Sequence, residues 1–118
     1  MDKLIYNPCA VATVVALGSD YNRAVSEMAL QEILYDASKV FSLNAGYDED
    51  IPFSNCITLS LRYLMKKRIV EKIVYSYRLT WKGIRLYEYL KRSSILIRRL
   101  DDYLTYRKKD KLYMHVGA

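Results

Sequence analysis

Ser54, Thr58, Arg62 and Lys66 follow one another at steps of four, with Asn55 beside the first. On an α-helix that spacing puts the four side chains on one face. Hydroxyl and amide groups at the start of such a face exchange hydrogen bonds with base edges, and the cations that follow neutralise phosphate. A helix N-terminus adds its own partial positive charge, which favours phosphate. Lys67 and Arg68 extend the cationic run, and Lys72 and Arg78 add two more cations in the next segment. The alternative is the solvated side of an ordinary amphipathic helix. All of this chemistry is non-covalent.

Covalent chemistry finds little to work with. The chain has no Gly-rich phosphate loop, no serine elbow motif and no Cys/His pair close in sequence. Its two cysteines, Cys9 and Cys56, and its one histidine, His115, have no metal-binding spacing. No cofactor or metal is implied, and an enzyme is not expected. Both cysteines sit in apolar helical patterns and read as small buried hydrophobes. A disulfide between them stays open.

The elements that would position these residues fit one modest domain of 118 residues with 52% hydrophobic and 27% charged composition. No run approaches the roughly 18 apolar residues of a membrane span. No signal peptide is visible, so a cytoplasmic location is expected, in a host cell if the source is viral. Charge is divided unevenly. Residues 1–53 carry 3 Lys/Arg and 8 Asp/Glu, net −5, and residues 54–118 carry 16 and 5, net +11. The positive half is the half that holds the polar row, which suits a polyanionic partner.

Asn7-Pro8 predicts a helix start, with a largely apolar helix from Cys9 to Leu17 that stops at Gly18. Ser26 caps a second helix to about Phe41. Residues 42–53 read as a loop made acidic by Asp48, Glu49 and Asp50. Ser54 caps a third helix to about Lys67. Residues 69–75 and 77–79 are β-branched and aromatic, a hairpin with a very short tip. Tyr75 and Tyr77 near that tip read as a cross-strand packing pair or as sugar contacts. Thr80 caps a long helical stretch to about Arg107, in which Ser94 is a possible second cap. Gly83, Leu86, Leu90, Ser93, Ile97, Leu100 and Leu104 alternate in steps of three and four, an a/d seam. Tyr87, Tyr89, Tyr103 and Tyr106 lie on this stretch and fit core and interface roles better than base stacking. The tail 108–118 is basic, then mixed, and reads as loose or as an edge strand.

The segment LRYLMKKRIVEKI followed by YRLTWKG resembles the second half of winged helix-turn-helix transcription factors, especially the PadR-like and MarR-like groups. The resemblance covers roughly residues 7–92. It implies a mainly α fold with a small β-hairpin wing (α+β) and a C-terminal dimerisation helix. It also implies a recognition helix at about 54–67 in the major groove and a wing at 69–80. Two departures stand out. The loop before Ser54 is longer than a helix-turn-helix usually has, and Arg68 occupies the place where the family usually has Gly or Asn.

The expected organisation is a winged helix-turn-helix domain at 1–83, dimerisation helices at 84–107 and a basic tail at 108–118. The expected partner is double-stranded DNA, contacted by Ser54, Asn55, Thr58, Arg62, Lys66, Lys67, Arg68, Lys72 and Arg78. A homodimer would form through Leu86, Leu90, Ile97, Leu100 and Leu104. The expected function is transcription regulation; no residue set identifies an effector. The alternative is a winged helix that serves as a protein-interaction module in a larger nucleoprotein assembly. Its Tyr-, Ile- and Lys-rich composition resembles small proteins of hyperthermophilic archaea and their viruses.

Overall fold

A computed structural model describes residues 7–20, 23–41 and 54–116, with side chains described to residue 107. The acidic loop 42–53 lies outside the described residues. Helix α1 (Pro8–Gly18) begins where the sequence predicts. The Asn7 side chain accepts a hydrogen bond from the Ala10 N–H at 3.2 Å, and Pro8 takes the first turn. Its apolar body has no side to give to water, and all but Pro8 and Val11 are buried. The buried Thr13 hydroxyl donates to the Cys9 carbonyl at 2.8 Å, so it leaves no unmet polar group. The helix ends at Gly18, as expected, but the glycine is its last helical residue and Ser19 caps it in a right-handed conformation. The glycine is needed for close approach instead: a Cβ there would run into the Tyr87 ring.

Strand β1 (Val25–Ser26) leads straight into α2 (Glu27–Val40), whose Ala29 N–H donates to the Ser26 hydroxyl at 3.2 Å. Helix α3 (Asn55–Lys66) follows Ser54, whose hydroxyl accepts from the Cys56 N–H at 3.1 Å. Its C-terminus is a Schellman motif. The Ile69 N–H donates to the Leu64 carbonyl at 2.9 Å, the Arg68 N–H donates to the Met65 carbonyl at 3.0 Å, and Arg68 sits at φ 61°. That left-handed site is the one where glycine or asparagine fits best.

Strands β2 (Val70–Ile73) and β3 (Ser76–Leu79) form a hairpin whose tip is Val74 and Tyr75 alone, with Ile73 opposite Ser76. Val74 takes φ 59°, a conformation usually filled by glycine in tight hairpins. The three strands make one antiparallel sheet in the order β1-β3-β2. Tyr75 and Tyr77 are not a cross-strand pair: Tyr77 faces Lys72 and is buried, while Tyr75 stands exposed in the turn.

The long C-terminal stretch is two helices, α4 (Trp81–Ser93) and α5 (Ile95–Val116), separated by Ser94 in extended geometry. The tail therefore continues α5 to Val116, neither loose nor an edge strand. The broken helix overturns the expected seam. Leu86, Leu90, Leu100 and Leu104 are buried within the chain itself, and Ile97 packs half-buried against the same cluster. Burial within the chain's own core already covers the apolar surface of these leucines, while Ile97 keeps part of its side chain open. The Tyr87 hydroxyl donates to the Asp101 carboxylate at 2.5 Å and fastens α4 to α5 across the break.

α1 touches α2, α3, α4, α5 and β3. The architecture is mainly helical with a small antiparallel sheet, an α+β fold around a central helix. No described helix is long and apolar enough to cross a membrane.

Candidate nucleic-acid interface

The polar row on α3 divides once its surroundings are in place. Ser54 is 1% exposed and is clamped by Gln31 of α2. The Gln31 amide donates to the Ser54 carbonyl and accepts from the Ser54 N–H, both at 3.0 Å. Ser54 therefore cannot meet a ligand, which corrects its expected role. Thr58 is half-buried and donates its hydroxyl to the Glu27 carboxylate at 2.8 Å. Its only described side-chain partner is an acid on α2, and a carboxylate at that end opposes phosphate.

Besides Cys56, α3 presents to solvent a stripe of Asn55, Leu59, Arg62 and Lys66, spaced four, three and four. Arg62 and Lys66 keep the exposure expected of them. Leu59, 59% exposed in the middle of the stripe, was not anticipated. Its signal is present, since an apolar residue off the Ile57-Leu61-Leu64 stripe has no core to enter. Lys67 and Arg68 are exposed just past the helix, and the Lys67 ammonium lies 5.7 Å from the half-buried Tyr63 ring.

The TWKG segment explains how this end of α3 is held. The Thr80 hydroxyl accepts from the Gly83 N–H at 3.2 Å, capping α4, and donates to the Arg68 carbonyl at 2.5 Å. The Thr80 N–H donates to the Ile69 carbonyl at 3.0 Å. A Cβ on Gly83 would collide with that same Ile69 carbonyl. Lys82 donates to the Lys67 carbonyl at 3.0 Å, placing a fifth cation beside Arg62, Lys66, Lys67 and Arg68 near one helix terminus. A helix C-terminus favours cations. Lys82 was legible as part of the motif but not as a member of the charged group.

The hairpin does not bring Lys72 and Arg78 together. Strand alternation puts Lys72 on the face of Val70, Tyr77 and Leu79, and Arg78 on the opposite face with Glu71. Lys72 is exposed with its ammonium 5.7 Å from the Tyr77 ring. Arg78 pairs with Glu71 at 2.6 Å, in a surface geometry about half exposed on both sides. An open groove of about 540 Å³ lies on Arg78's side, lined by Glu71, Arg78, Leu79, Thr80, Trp81, Ile84 and Glu88. Trp81 at its edge is 82% exposed.

The cationic group can neutralise phosphate, and Asn55 and Arg62 carry the donors and acceptors that read base edges. Among the described residues, no group of three or more His, Cys, Asp and Glu could hold a metal ion. No family model, no curated protein and no solved structure matches the chain.

Proposed function

We propose that the chain is a winged helix-turn-helix DNA-binding regulator in which α3 is the recognition helix and the β2–β3 hairpin the wing. The element order through β3 and the sheet order β1-β3-β2 support the winged-helix reading. The observation that carries DNA binding is the exposed Asn55-Leu59-Arg62-Lys66 stripe running into Lys67 and Arg68. It is the solvent face of a helix pinned at both ends, and it lies in the half of the chain with net charge +11. Contacts come from the middle and C-terminal part of α3, with Leu59 against a thymine methyl or sugar. Lys72 contributes from the wing. The protein acts as a homodimer by occupying a promoter. With the leucine seam spent on the core, the dimer surface is the outer side of α4 and α5, where Tyr89, Ile95 and Leu96 are exposed.

The experiment is fluorescence anisotropy with random-sequence duplex DNA across a salt series. Arg62→Ala is expected to weaken binding roughly tenfold, and Lys66→Ala to flatten the salt slope by about one. No duplex binding at low salt would end the reading.

The groove beside Trp81 favours a second reading. Its exposed indole and two carboxylates suit a protein better than a phosphate backbone. A winged helix used as an interaction module would lose its partner on Trp81→Ala and be indifferent to Arg62→Ala.

A further inference from the structure

Cys9 and Cys56, far apart in sequence, meet where the first turns of α1 and α3 pack. Cys9 is 5% exposed, whereas Cys56 is open to solvent, contrary to its expected burial. Both are thiols here, their side chains are in hydrogen-bond contact, and both line a cleft of about 290 Å³ with Asn7, Leu59, Ser60 and Tyr63. We propose that Cys9 and Cys56 form a reversible intramolecular disulfide that ties α1 to α3, made by exchange with a low-molecular-weight disulfide admitted at this cleft.

The exposure difference fixes the order of the steps. The Cys56 thiolate attacks the small disulfide, forming a mixed disulfide and expelling one thiolate of the reagent. The Cys9 thiolate then attacks the Cys56 sulfur, closing the protein disulfide and expelling the second. The two cysteine sulfurs are oxidised, the reagent is reduced to two thiols, and the two cysteine protons end on them. Cys9 cannot go first. Burial pushes its thiol up to about 12, with the Cys56 hydrogen bond and charge adding to the rise. Capping Cys56 removes those two contributions and makes the second attack intramolecular. Closure waits on the Cys9 thiolate and is therefore expected to accelerate as pH rises through the neutral range.

The proposal does not depend on DNA binding. The test incubates the full chain with oxidised glutathione, follows intact mass without reductant, and records thermal melts before and after dithiothreitol. The wild type is expected to lose two hydrogens and both alkylatable thiols. Closing a ring of roughly 50 residues raises Tm by about 10 °C, reversed by reductant. Cys9→Ala stops at one glutathione on Cys56. Cys56→Ser leaves Cys9 unmodified and Tm unchanged. A wild type that halts at the glutathione adduct, links two chains through Cys56, or keeps both thiols alkylatable overturns the proposal. If Cys9→Ala does not fold, the wild type and Cys56→Ser decide alone.

Discussion

An arginine at φ 61° gives up roughly 1 kcal/mol relative to glycine, because its Cβ crowds the backbone. Arg68→Gly is therefore expected to stabilise the fold by about 0.5–1 kcal/mol, read as a higher urea midpoint at unchanged slope. On the proposed function the same change removes a phosphate contact and weakens duplex binding, so stability and affinity move in opposite directions. A variant that gained stability with no loss of affinity would remove Arg68 from the interface. Gln31 belongs at this scale too. Its amide accepts from the buried Ser54 N–H and donates to the Ser54 carbonyl, which also takes the Ile57 and Thr58 N–H groups of α3. Gln31→Ala removes both clamp bonds while the carbonyl keeps its helix donors, and is expected to cost about 1–3 kcal/mol. Its measurement is denaturant unfolding; a cost below about 1 kcal/mol would mean the clamp is dispensable.

Elements are held here by small residues at crossings. Gly83 lets α4 lie against the Ile69 carbonyl, where the neighbouring atom is rigid backbone. Gly83→Ala is expected to destabilise by about 3 kcal/mol, lowering Tm by roughly 10 °C in a scan. At Gly18 the obstacle is the ring of Tyr87, buried and hydrogen-bonded to Asp101, so Gly18→Ala is expected to be destabilising as well. The element plan was legible wherever a signal is local. Asn7, Ser26, Ser54 and Thr80 each close a hydrogen bond within three residues of themselves, and a single side chain announces that. Partners across the chain were not legible. Ser54 and Thr58 have the same residue types whether they face a duplex or Gln31 and Glu27. Leucines spaced three and four apart announce an apolar stripe without saying whether it meets another copy or the chain's own α1 and α2. Only Ser94 hinted that the stripe was not one straight helix.

For the whole molecule, α1 is the common neighbour of α2, α3, α4, α5 and β3. Local opening of any one of these leaves the others still covering it. Amide hydrogen exchange in residues 12–17 is expected to occur only through global unfolding, with protection equal to the full unfolding free energy. Protection there matching that of α5's far end would show that α1 opens separately. The Arg107–Asp36 pair at 2.8 Å, one-third exposed on each side, adds a polar tie between α5 and α2 worth under about 1 kcal/mol. The central position also has a consequence during synthesis. The apolar segment is made well before its last described neighbour, α5, which begins only at Ile95. At about 5–20 residues per second, it waits for roughly 4–16 s before its final cover exists. During that interval CAVATVVAL lacks part of its cover on a nascent chain, so cellular yield is expected to depend on holdase chaperones more than the finished protein's stability would suggest.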